Sequence, residues 1–88
     1  MIIQAELSLY PLRTEHIGNI ISRFADELRA NGIKPETSAM STVVKGECRA
    51  VFAAVERAFE ACGDKADIVL IFKASNACPE CAPNDKGK

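Results

Sequence analysis

Ile3-Gln4-Ala5-Glu6-Leu7-Ser8-Leu9-Tyr10 alternates without a break. Ile3, Ala5, Leu7 and Leu9 point to one side and Gln4, Glu6, Ser8 and Tyr10 to the other, the two-residue period of a strand with one face in the core. Pro11 follows, and because it has no N–H to give to a ladder it is expected to stop the strand. Beyond it the period changes. Ile17, Ile20, Ile21, Phe24 and Leu28 fall on one helical stripe, with Thr14 as the expected N-cap. Asn31-Gly32 is expected to end that helix, since glycine readily takes the left-handed conformation of a C-terminal cap.

Two weaker strands are expected over residues 33–40 and 41–45, rich in Thr, Ser and Val and joined without a tight Asn-Gly turn. Gly46-Glu47 then opens a second helix whose stripe is Cys48, Val51, Phe52, Val55, Phe59 and Cys62, ending at Gly63. The last strand spans 66–74. It puts Ile68, Leu70 and Phe72 on one face and Val69, Ile71 and Lys73 on the other, as a strand contacted from both sides would. The order strand, helix, strand, strand, helix, strand is that of the ferredoxin-like split βαβ arrangement. The expected architecture is therefore α+β: a two-layer sandwich with a four-stranded antiparallel sheet and both helices on one face. Residues 1–75 are expected to form this domain and residues 76–88, which hold two prolines and no apolar period, a C-terminal loop or tail.

The other sheet face would then stand open, carrying Gln4, Glu6, Ser8, Tyr10, Ser41 and Lys73 beside Val69 and Ile71. A half-polar, half-apolar face must meet water, a ligand or another subunit. Charge narrows the partners. With 11 basic and 12 acidic residues in 88, the net charge of −1 provides no concentrated positive field for nucleic acid or an anionic membrane. The opening residues lack a basic segment ahead of an apolar run, and no stretch reaches membrane-spanning length, so a cytoplasmic protein is expected. In that compartment the four cysteines are thiols or metal ligands rather than structural disulfides.

Cys78-Pro79-Glu80-Cys81 has the spacing that lets two thiolates share a metal or form a small redox loop, yet it is half of a zinc site. Cys48 and Cys62 lie on the apolar stripe of the second helix and read as small core hydrophobes. His16 is the lone imidazole, with no carboxylate or nucleophile paired to it in sequence. No catalytic triad, glycine-rich phosphate loop or carboxylate dyad can be assembled, so an enzyme is not expected. The stretch from Ser38 through Ser41, Thr42 and Lys45 to Glu47 sets hydroxyls along the middle strands before a helix N-terminus. It offers neutral donors and acceptors to a small polar ring compound, although Thr and Val are also common simply as strand formers.

Leu7-Ser8-Leu9-Tyr10-Pro11-Leu12, then Met40-Ser41-Thr42-Val43-Val44-Lys45-Gly46, then Val51-Phe52, resemble in the same order the YkoF-like thiamine and hydroxymethylpyrimidine-binding family. The resemblance implies a non-catalytic binder of thiamine or its hydroxymethylpyrimidine moiety, serving vitamin salvage or transport, with no cofactor. It also implies ferredoxin-like units packed sheet to sheet. A single-unit chain would do this as a homodimer, with a tetramer if dimers pair again. The implied ligand-binding set is Gln4, Glu6, Ser8, Tyr10, Met40, Ser41, Thr42, Glu47 and Cys78. Within it Ser8, Ser41 and Thr42 hydrogen-bond the ring, Gln4 or Glu6 reads the exocyclic amine, and Tyr10 or Met40 stacks. Glu6 or Glu47 would balance a thiazolium charge, and Cys78 would belong to a loop near the ligand. Two other classes stand beside this reading: a metal-binding or thiol-redox protein using Cys78 and Cys81, and a purely structural oligomerisation module.

Overall fold

The computed structural model describes residues 1–38 and 41–77. Six elements follow in order: β1 (Ile2–Leu12), α1 (Ile17–Ala30), β2 (Glu36–Thr37), β3 (Thr42–Glu47), α2 (Cys48–Gly63) and β4 (Asp67–Ser75). The sheet order is β2-β3-β1-β4, all neighbours antiparallel, the ferredoxin-like arrangement expected from the order of periods. β1 is central. It pairs with β3 from Ile2↔Glu47 to Leu7↔Thr42 and with β4 from Gln4↔Ser75 to Leu12↔Asp67.

The alternation of β1 decides which face is core. Ile3, Ala5 and Leu7 are buried beneath the helices together with Phe24 and Leu28 of α1 and Val51 of α2. Leu9 packs against the edge of this core, while Gln4, Glu6, Ser8 and Tyr10 turn to the open face, where Tyr10 is half exposed and Glu6 pairs with Lys73 of β4. Among the described residues no helix is long and apolar enough to cross a membrane.

Several local expectations change. Pro11 does not stop β1, which continues to Leu12 with Pro11 opposite Ile68. The pairing with β3 has already ended opposite Leu7, so among the described residues β1 has a neighbour on one side only at this point, a place where a missing donor is tolerated. Arg13 then turns the chain with φ 54°, and α1 begins later than Thr14 would start it. Its N-cap is His16, and the Thr14 hydroxyl accepts the His16 N–H at 3.0 Å, bracing the turn ahead of the helix. The helix ends as expected. Gly32 at φ 86° donates to Arg29 O and Ile33 to Leu28 O, both at 3.0 Å, the paired bonds of a Schellman cap, and Ile33 is buried.

β2 is only Glu36–Thr37, much shorter than residues 33–40, because Ile33 is spent closing the α1 cap and Pro35 has no N–H to start a ladder. On α2 the buried face is Val51, Ala54, Val55, Ala58 and Cys62; Phe52 and Phe59, expected on it, are 48% and 39% exposed. Small alanines let α2 approach the sheet and push the large rings to its flank. There Phe52 meets Phe72 of β4 edge to face, with ring centroids 5.0 Å apart. Cys62 is buried in the core and Cys48 packs partly buried against it. Burial holds the Cys62 thiol above its ordinary pKa, the behaviour of an inert core cysteine.

Leu28 has no exposed surface and links α1 to both the core and the Ile33 cap. Leu28→Ala should therefore cost about 2–5 kcal/mol of unfolding free energy by loss of transfer energy and an unfilled cavity. Urea denaturation monitored by circular dichroism measures it, and a loss under about 1 kcal/mol would mean that the site collapses to fill the void.

Candidate functional site

The unequal lengths of β1 and β3 create a hollow. Past Leu7↔Thr42, β1 runs on with β4 alone among the described residues, so the flank of residues 8–10 that faces away from β4 has no described strand beside it. Ile21, Phe24 and Ala25 of α1 floor this gap, Ser8, Leu9 and Tyr10 form one wall, and Thr37, Ser38, Ser41 and Thr42 form the other. The cleft measures about 200 Å³. Drug-sized ligands occupy sites of roughly 300–1,000 Å³, so this one suits a single small ring. Its described lining carries hydroxyls over an apolar floor and no charged side chain.

Hydrogen bonds shape its rim. Ser38 donates its backbone N–H (2.8 Å) and its hydroxyl (3.1 Å) to Ser41 O, closing the turn between β2 and β3. The hydroxyls of Thr37 and Thr42 lie 3.4 Å apart. Thr42 sits opposite Leu7, so alternation turns it to the helix side of the sheet, while Ser41 continues on the open side. The Ser41 hydroxyl donates to Glu6 Oε2 at 2.8 Å, and Lys73 Nζ lies 3.1 Å from Glu6 Oε1. Those two contacts, Ser41 first, hold the Glu6 carboxyl below the ordinary glutamate range. A carboxylate just outside the cleft is thus tied to a hydroxyl on its wall.

Of the residues singled out from sequence, Ser8, Tyr10, Ser41 and Thr42 meet at the cleft, and Glu6 joins them through Ser41. Gln4 lies further along β1, where with Glu6, Val43, Lys73 and Ser75 it lines a shallow hollow on the open face. Glu47 is at the far end of the β1–β3 ladder, opposite Ile2. There Oε2 accepts from the Met1 amine at 3.1 Å and Oε1 caps α2 by accepting the Arg49 N–H at 2.9 Å, and these two contacts, the Met1 amine first, hold its carboxyl low as well. Met40, Cys78 and Cys81 lie outside the described residues. Among the described residues no three His, Cys, Asp or Glu side chains gather as they would around a metal.

Sequence reasoning did not assign Thr37, Ile21, Phe24 or Ala25 to a site. Ile21 and Phe24 were legible only as core stripe, because nothing local tells that a stripe residue will floor a gap rather than meet another strand.

A model of the family described as thiamine-binding protein matches residues 5–75. Several solved structures share the fold, three of them as follows. A hypothetical protein from Methanocaldococcus jannascii is 22% identical, with a TM-score of 0.78 over 89% of this chain and 82% of its own. A candidate thiamine biosynthesis/salvage protein from Thermotoga maritima is 18% identical, with a TM-score of 0.76 over 85% and 83%. A domain of unknown function from Bacillus cereus is 23% identical, with a TM-score of 0.73 over 85% and 75%. No curated protein matches the chain.

Because the folded-state pKa of Glu6 is depressed, the stability it contributes is present above its unfolded pKa and is lost as pH falls through the folded value. Ser41→Ala should raise the Glu6 midpoint, read by carboxyl-carbon NMR. It should also make the variant less stable than the parent at neutral pH, by a difference that vanishes in acid. A midpoint unmoved by the substitution would show that the Ser41 hydroxyl does not hold the carboxylate in solution.

Proposed function

We propose, starting from the fact that this chain belongs to the thiamine-binding protein family, that it recognises thiamine through its aminopyrimidine, or free hydroxymethylpyrimidine, and performs no chemistry on it. The observation that carries this reading is the cleft between β1 and the β2–β3 turn: hydroxyls on its walls, apolar side chains beneath, and no charge in its described lining. A flat neutral ring with nitrogen acceptors and an exocyclic amine needs that combination.

Ser8 and Thr42 hydrogen-bond the ring from opposite walls, Tyr10 offers an aromatic surface, and Phe24 supplies the floor. Glu6, ionised and oriented by Ser41, accepts from the amine at the rim; Gln4 stands behind it on the same strand face. Glu47 lies at the other end of the sheet, opposite Ile2, so the thiazolium charge of whole thiamine falls to Glu6, which adjoins the cleft through Ser41, rather than to Glu47. The exposed apolar residues Tyr10, Leu12, Val69 and Ile71 on the open face support a homodimer packed sheet to sheet. Salvage or transport of the vitamin in the cytoplasm is the role this reading implies.

Isothermal titration of the reduced protein with thiamine and with hydroxymethylpyrimidine tests it. Saturable binding near one ligand per chain is expected, at micromolar affinity or tighter, about −8 kcal/mol; no heat with either compound would leave the family's fold without this ligand. Thr42→Val keeps the volume and removes one hydroxyl. It should weaken binding about five-fold, the equivalent of one neutral hydrogen bond, with the melting temperature little changed, and equal affinity would remove Thr42 from the site.

A further inference from the structure

The cleft divides its chemistry by height. Its hydroxyls stand on the walls, Ser8 on one side and Thr42 on the other, and at the rim Ser41 directs its hydroxyl to Glu6 Oε2 at 2.8 Å. Ile21, Phe24 and Ala25 close the bottom from one face of α1, being three and four residues apart. That floor has no donor to offer. None of its three side chains is polar, and the backbone N–H groups of this stretch are spent on the helix's own ladder. Ala25 has the shortest side chain of the three, and the cleft still reaches it, so the floor dips there.

We propose, resting on the aminopyrimidine reading of this cleft, that the ring enters with its C2 substituent down against Ile21, Phe24 and Ala25, and that Ala25 sets a preference for methyl at that position over hydrogen or oxygen. The ligand carries its amine on C4, its hydroxymethyl or thiazolium-bearing arm on C5 and a methyl on C2. Amine and arm both belong at the rim, the first to reach Glu6 and the second because a cleft of about 200 Å³ cannot take the whole vitamin below it. C2 lies across the ring from C5. With the C4–C5 edge at the rim, the C2 substituent goes deepest, and the nitrogens on either side of C2 turn to the walls, where the Ser8 and Thr42 hydroxyls can donate to them.

A methyl on C2 then leaves water for an apolar dip, and hydrogen in its place leaves the dip unfilled. An oxygen is worse placed. In 5-hydroxymethylcytosine the amine and the arm are unchanged but C2 carries a carbonyl, which would be buried on a floor without a donor and left unpaired. The wall hydroxyls do not separate the two rings, because a hydroxyl accepts from a ring N–H as readily as it donates to a bare nitrogen. Telling the vitamin's ring from a nucleobase of the same outline therefore falls to the floor. Ala25 is almost buried and lines the cleft, so an atom added to it has the cleft as its open side and enters the space of the C2 substituent.

Isothermal titration of the full chain with hydroxymethylpyrimidine, its analogue with hydrogen at C2, and 5-hydroxymethylcytosine tests the orientation. Relative to hydroxymethylpyrimidine, the analogue should bind about four-fold more weakly, the loss of one buried methyl, and 5-hydroxymethylcytosine about ten-fold or more weakly. Ala25→Val, shown folded by circular dichroism, should weaken the C2-methyl compound about five-fold or more and spare the C2-hydrogen analogue, so that their order reverses. Ala25→Ser, a smaller change that serves if the valine variant unfolds, gives the floor a donor. It should narrow the gap between hydroxymethylpyrimidine and 5-hydroxymethylcytosine about five-fold. Equal affinity of the parent for all three compounds would overturn the orientation and leave the ligand reading standing. A loss in Ala25→Val shared equally by the methyl and hydrogen forms, or a gap that Ala25→Ser leaves as wide as before, overturns the role of Ala25. No heat with hydroxymethylpyrimidine itself removes the ligand and the orientation together.

Discussion

β1 is hydrogen-bonded on both sides for only part of its length, and most of what distinguishes this molecule depends on that. Where β3 lies beside it, β1 is the centre of an antiparallel sheet, and Ile3, Ala5 and Leu7 sink under two helices. Where β3 has ended, β1 keeps β4 on one side and on the other leaves a space that α1 floors and the β2–β3 turn walls in. The same shortage of neighbours lets Pro11 stay in the strand, because no ladder on that side calls for its missing N–H.

The polar groups around this space are held rather than free. Ser41 is fixed from behind by Ser38 and points its hydroxyl at Glu6, whose other oxygen faces Lys73. That chain of contacts holds the Glu6 carboxylate in place at the rim and its pKa below the ordinary range. At the opposite end of the ladder Glu47 does comparable work for the fold, tying the Met1 amine and the first turn of α2 together. Two acidic residues on paired strands thus have different duties because one lies where β3 has just begun and the other where it gives way to a helix.

Much of the fold was legible in the residues. Strict alternation marked β1, the stripe through Phe24 and Leu28 marked α1, Asn31-Gly32 marked its end, and the six elements in order carried the topology. The local failures share a cause. Thr14, Pro11 and the long reading of the second strand were judged from one residue's own preference, whereas capping, strand ends and ladder length are set by what lies alongside. Phe52 and Phe59 were placed in the core by period alone; the alanines at 54 and 58 and the proximity of Phe72 moved them to the flank. The candidate site was half legible: Ser8, Tyr10, Ser41 and Thr42 stood out as hydroxyls on strands expected to be half-polar, but Thr37 and the α1 floor did not.

Sequence by itself determined the elements, their order, the core face of β1 and the polar character of the opposite face, because these follow from periods of two and 3.6 residues that are written into neighbouring positions. Tertiary structure alone decided that β3 stops opposite Leu7, that Thr42 faces the helices while Ser41 faces outward, and that Ile21 and Phe24 close the bottom of a cleft. Those outcomes depend on register between segments 35 residues apart in the chain, as the Ser41–Glu6 contact is. Register is settled by packing and by the ends of strands, which no local pattern specifies.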